Sequence, residues 1–171
     1  MFCWSCGAPL PALPPVVCPG CATEHWQNAK PCAGALVEDR GRVLLVRRAI
    51  KPFEGGWDIP GGFCDADELP ATTARREVRE ETGLEIEILD LLGMWIDRYG
   101  EPQDGAPETL TLNIYYAARP ANGVELRIDT GEVTEVGWFG PEDLPTNLAF
   151  PDHAAQVIAA WVARTTGLRG A

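Results

Sequence analysis

The stretch "ELPATTARREVREETGL", Glu68 to Leu84, constrains this chain more than any other. Pro70 falls where a first helical turn tolerates proline, and Gly83 falls where a left-handed C-terminal cap favours glycine. Good helix formers lie between them, so the pattern predicts a helix from Pro70 to the Gly83 cap. At about 100° per residue, Ala71, Ala74, Val78 and Thr82 form one stripe toward a core, with Glu77, Glu80 and Glu81 on a neighbouring face. Carboxylates three and four residues apart repel one another unless a cation sits between them. Arg76, four residues before Glu80, can pair with it or hold a neighbouring carboxylate in place. Ahead of the helix, "GGWDIPGGF" supplies a backbone flexible enough to bring carbonyl oxygens to the same cation. Clustered carboxylate and carbonyl oxygens are what magnesium or manganese prefers.

The first 31 residues differ from the rest: they hold four of the six cysteines and little periodicity, and a piece that short cannot bury enough apolar surface to fold unaided. Cys3, Cys6, Cys18 and Cys21 form two C-x-x-C pairs, each a tight turn presenting two thiolates, and two such turns facing each other make a tetrahedral zinc site. With all four positions filled, the zinc is expected to be structural. Two disulfides are the other reading, which the lack of a secretory signal segment disfavours. His25 is an alternative ligand, expected at the surface when four cysteines are present, and Cys32 and Cys64 are expected to be small, partly buried residues.

The expected organisation is therefore a zinc ribbon over 1–31 and a mixed α/β domain over 32–171. "CAGALVED" and "RVLLVRR" flank a hairpin turn, "LEIEILDLLGMWIDRY", "ETLTLNIYYAARP" and "VTEVGWFG" supply further strands, and "PDHAAQVIAAWVART" is a closing helix. A net charge of −11 and a pI near 4.6 exclude a surface built for nonspecific nucleic-acid binding. No run reaches the ~18 apolar residues of a membrane span, and a cytoplasmic protein with no membrane partner is expected.

Gly62, five residues, Glu68, seven residues, then Arg76-Glu77-Val78-Arg79-Glu80-Glu81-Thr82-Gly83-Leu84 resembles the Nudix box at every defining position. With ordinary residue frequencies such a coincidence arises at a given start on the order of once in a billion. The resemblance extends more loosely through "VLLVRR", "GGWDIPGG" and "VGWFGPEDLP". It implies the Nudix α/β/α sandwich with a mixed sheet, and hydrolysis of a nucleoside diphosphate linked to another group. It also implies that Glu77, Glu80, Glu81 and the Gly62 carbonyl hold one to three magnesium ions, with Glu68 and Arg76 supporting the loop and helix. The general base in many relatives comes from the loop before the strand ending here in "GWF", which points to Glu132, then Glu135; a box glutamate is the other option.

Arg47 and Arg48 close a strand leading to the site, and alternation lets at most one of them face phosphate. Trp57, Trp95, Tyr99, Tyr115 and Tyr116 include candidates for stacking on a base, although any single one more often packs in a core. A four-cysteine ribbon before such a domain is similar to NADH pyrophosphatases and to ribbon-bearing FAD and ADP-ribose pyrophosphatases. The NADH signature "SQPWPFP" is missing, so ADP-ribose and FAD rank above NADH as expected substrates. A homodimer whose partner chain completes the pocket is expected by the same resemblance. The competing expectations are a triphosphate sanitiser, an RNA cap-removing hydrolase, and a non-catalytic ribbon module. The full set of box acids counts against the last.

Overall fold

The computed structural model describes residues 1–100, 109–123, 125–128 and 131–167. Two short strands, β1 (Val16–Val17) and β2 (Glu24–His25), pair antiparallel beside the cysteine turns. β3 (Lys30–Asp39) and β4 (Arg42–Arg48) form the expected hairpin around Arg40 and Gly41. Both turn residues have positive φ, 50° and 75°, the conformation that suits a two-residue turn to the twist of its strands. β5 (Trp57–Asp58) and β6 (Gly61–Phe63) are short pieces of the glycine-rich stretch. Helix α1 (Pro70–Thr82) is followed by β7 (Ile86–Arg98), β8 (Leu110–Pro120), β9 (Val133–Phe139) and α2 (Pro151–Gly167). Glu108, at the head of the "ETLTLNIYYAARP" strand, and residues 168–171 of the expected second domain lie outside the described residues.

The main sheet has seven strands in the order β5-β4-β3-β8-β7, with β6 on β3 and β9 on β4; only β3 and β8 run parallel, so the sheet is mixed. Alternation along β4 divides the core. Leu44 joins Ala33, Ala35 and Val37 under Ala74 and Val78 of α1, whereas Val43 and Leu45 join Leu36 under Val157, Ile158 and Trp161 of α2. The result is the α/β/α sandwich.

Three details depart from expectation. Thr73 takes the place of Ala71 in the buried stripe of α1, because its hydroxyl donates to Glu68 across the helix start at 2.7 Å. β3 starts at Lys30, where Lys30 and Pro31 pair with Thr111 and Leu112, so the sheet already runs through the last two residues of the expected ribbon. β7 carries register shifts between Ile88 and Asp90 and between Leu91 and Gly93, which interrupt a segment expected to alternate like a strand at its start.

Candidate active site

Helix α1 begins at Pro70 and ends at Gly83, whose φ of 76° lets its N–H cap the Arg79 carbonyl at 2.8 Å. The helix therefore stands in a fixed phase against the sheet, with Val78 and Thr82 fully buried and the three glutamates along its edge. Glu81 is the most enclosed: its Oε2 accepts from the Gly61 N–H at 3.1 Å. Burial pushes its carboxyl well above the usual range, and the nearby charges of Asp58, Glu77 and Glu132 push the same way. Glu77 is raised too, mainly by burial and against the pull of Arg76. Glu80 points outward, its side chain 51% exposed.

Arg76 organises the approach to these acids. Its Nη1 donates to Glu77 Oε1 at 2.7 Å and Glu80 Oε2 at 3.0 Å, and its Nη2 donates to Glu68 Oε2 at 2.8 Å and the Phe63 carbonyl at 3.2 Å. Hydrogen bonds from Arg76, and then from Thr73, pull the Glu68 carboxyl down to about 2. Loop, strand β6 and helix are tied at one guanidinium. Gly62 lies against Glu77 so closely that a Cβ at that position would overlap the carboxylate. Gly62, Glu77 and Glu81 thus share one edge of the site, where burial raises both carboxyls. That donor set of hard oxygens fits a divalent cation.

A cavity of about 310 Å³ opens beside this edge, at the lower end of the range typical of small-molecule sites. Glu77, Glu81, Glu132, Arg76, Arg48 and Gly62 line it on one side. Of the two strand arginines, Arg48 faces the cavity and Arg47 faces away, bonding to the Gly55 carbonyl at 3.0 Å and to Glu135 at 3.4 Å. Glu135 is thereby held outside the cavity. Among the aromatic candidates Tyr99 and Tyr115 line it. Trp57 does not: its ring packs edge-on against Phe139 at 4.8 Å in the core beneath α2, because β5 turns that side chain inward. Trp95 meets Tyr115 edge-on at 6.0 Å on the α2 side of the core, whereas Tyr116 packs on the α1 side.

Sequence reasoning missed Asp58, Phe150 and His153, which also line the cavity. Asp58 left one signal, a charged residue between apolar Trp57 and Ile59. It is buried, bonded to Arg48 Nη1 at 3.2 Å and to the Ile59 N–H at 2.9 Å, and burial raises its carboxyl against the pull of Arg48. Phe150 and His153 left none, since both come to the cavity only through the docking of α2.

The four N-terminal sulfurs lie within 4.8 Å of one another, with Cys3 to Cys21 at 3.7 Å and Cys6 to Cys18 at 3.6 Å. Thr23 hydrogen bonds to Cys21 and pulls its thiol down to about 6, toward the thiolate that a metal needs. His25 is buried instead of exposed: its Nε2 lies 3.3 Å from the Cys3 sulfur, beside the cluster.

Comparison with known proteins places this geometry. A model of the NUDIX domain matches residues 29–161. The NAD-capped RNA hydrolase NudC of Stutzerimonas stutzeri is 28% identical over 97% of this chain, and the ADP-ribose pyrophosphatase of Methanocaldococcus jannaschii is 33% identical over 69% of it. The matches span 57% and 64% of those two proteins' own lengths. The crystal structure of a NUDIX hydrolase from Nitrosomonas europaea superposes with a TM-score of 0.77 at 28% identity, covering 97% of this chain and 93% of that one. The chain belongs to the NUDIX family and is a hydrolase of that family.

Proposed function

We infer that this chain hydrolyses the diphosphate bridge of an ADP-linked compound such as ADP-ribose, FAD or NADH, releasing AMP. The observation that carries the reading is that Glu77, Glu81, Gly62 and Glu132 all line one cavity of about 310 Å³. Glu77, Glu80, Glu81 and the Gly62 carbonyl would hold magnesium or manganese. When bound, the metal neutralises phosphate oxygens and makes water a better nucleophile. Arg76 fixes the directions of Glu77 and Glu80, and Glu68 fixes Arg76. Arg48, held by Asp58 and the Pro52 carbonyl, presents its guanidinium edge to phosphate oxygens at the cavity wall. Glu132 is the general base: it lines the cavity near enough to Glu77 and Glu81 to raise both carboxyls, whereas Glu135 is engaged by Arg47.

The names of the two relatives support this substrate class, since NAD and ADP-ribose both carry an adenosine diphosphate bridge. Removal of an NAD cap from RNA breaks the same bond and is the second reading, favoured by the NudC match over nearly the whole chain. The N-terminal residues 1–31 act as a ribbon closed by one structural zinc on Cys3, Cys6, Cys18 and Cys21, followed by the hydrolase domain over 32–171. The protein works in the cytoplasm; among the described residues no helix is long and apolar enough to cross a membrane. It works as a homodimer, a reading supported by edge strand β7, where Leu91, Met94 and Ile96 are exposed. Sedimentation as a monomer at micromolar concentration would reject the dimer. Chromatography of the products from ADP-ribose, FAD and NADH with magnesium tests the activity. AMP plus a second phosphate ester is expected, and intact substrate in all three reactions rejects the reading.

A further inference from the structure

The wall of the cavity away from the box carries a buried polar chain that the chemistry above does not use. His153 of α2 stands between Asp97 of β7 and Tyr115 of β8, with Nδ1 2.6 Å from Asp97 Oδ2 and Nε2 2.9 Å from the Tyr115 hydroxyl. An ionised carboxylate only accepts hydrogen bonds, so Nδ1 carries a hydrogen; with the ring's proton on Nδ1 alone, Nε2 accepts and the tyrosine hydroxyl donates to it. The proton of Tyr115 is thus turned toward His153, and its oxygen is left with lone pairs only.

The hydroxyl is held firmly. The Tyr115 ring lies where a Cβ on Gly34 would come within 2.8 Å of it, stacks on His153 at 5.5 Å between centroids, and meets the edge of Trp95 at 6.0 Å. A tie between β7, β8 and α2 needs none of this, because apolar packing of Leu36, Val157 and Ile158 already joins α2 to the sheet and burying polar groups costs free energy. Both Tyr115 and His153 line the cavity. Beside them Phe150 stacks on Tyr99 at 5.7 Å, lies 5.5 Å from His153 and packs under the Arg48 guanidinium at 5.1 Å, so aromatic rings and the phosphate-facing arginine meet in this part of the cavity. Phosphate and its metals belong with the carboxylates, and the planar nucleoside belongs with the rings.

We propose that Tyr115 determines specificity for the nucleoside half of the substrate: its hydroxyl oxygen accepts a hydrogen bond from a ligand donor, with His153 and Asp97 as positioning residues that keep the hydroxyl proton out of the way. The donor is either the exocyclic amine of the base or a ribose hydroxyl. The proposal takes its substrate class from the proposed function, and its test reads binding instead of turnover. AMP, IMP and 2′-deoxy-AMP are titrated calorimetrically into wild-type and Tyr115→Phe protein with magnesium present. IMP lacks the amine and 2′-deoxy-AMP lacks one hydroxyl, so the weaker of the two identifies the donor. Wild-type protein is expected to bind AMP at least tenfold more tightly than one analogue, and Tyr115→Phe, which keeps the ring against Gly34, is expected to bind all three within about twofold. His153→Leu, which frees the hydroxyl proton, is expected to lose the preference while keeping measurable AMP binding. Equal binding of the three ligands by wild-type protein, wild-type discrimination in the Tyr115→Phe variant, or no AMP binding overturns the proposal. Should the Tyr115→Phe variant fail to fold, the wild-type comparison alone decides. Loss of hydrolysis of every ADP-linked compound with AMP discrimination intact would reject the proposed function and leave this assignment standing.

Discussion

Among single residues, Glu81 bears the sharpest conflict between stability and function. Its carboxylate is buried beside Asp58 and Glu77 and accepts a hydrogen bond from the Gly61 N–H. Replacing it with glutamine keeps the shape and removes a charge that the folded state disfavours. Glu81→Gln is expected to leave the Tm unchanged or higher, while the rate falls at least about a hundredfold, roughly 2.7 kcal/mol of transition-state stabilisation. Steady-state kinetics beside calorimetry measures both, and full activity in this variant would remove Glu81 from the site. The same residue shows what was legible in the sequence and what was not. Spacing on one helix edge was enough to group Glu77, Glu80 and Glu81, because helical geometry is local. Their different burial was not legible, since it depends on how β6 packs beside α1. His153 and Phe150 reach the cavity through a docking more than fifty residues away from β7, and no local pattern encodes that.

At the scale of elements, the link between the glycine-rich strand and α1 depends on Glu68 and Arg76. Hydrogen bonds hold the folded Glu68 carboxyl at about 2, against an ordinary value of 4.5, so folding favours its ionised form. Its contribution is present above the ordinary value and is lost as pH falls toward the folded one. Tm measured from pH 7 to pH 2 is expected to separate wild type from Glu68→Gln fully above pH 4.5, with the two curves converging as pH approaches 2. A constant gap across that range would show that the carboxylate's charge plays no part. Alternation predicted β8, whose side chains are buried every second residue along most of its length, and apolar runs beside a turn predicted β3 and β4. Alternation was least informative for β7, an edge strand with two register shifts and exposed leucines.

For the whole molecule, the two modules are stabilised by different means. Among residues 1–29 only Cys3, Cys18 and His25 are buried, while Phe2, Trp4 and Trp26 are exposed, so the cysteine cluster is itself the core of that segment. Protein purified under reducing conditions is expected to contain one zinc per chain. Chelation is expected to unfold the first thirty residues and leave the sandwich largely intact, as followed by amide hydrogen exchange. Zinc near zero in folded protein would contradict that expectation. The sandwich relies on two apolar layers and brings the box carboxylates and a set of aromatic rings to one cavity, and the carboxylate lining is the basis for assigning an ADP-linked substrate. The ratio of kcat/KM for ADP-ribose to that for the common nucleoside triphosphates, with magnesium, measures it most directly. A ratio well above one, with AMP as product, is expected; a triphosphate cleaved a hundredfold faster, a difference of about 2.7 kcal/mol in barrier, would contradict it.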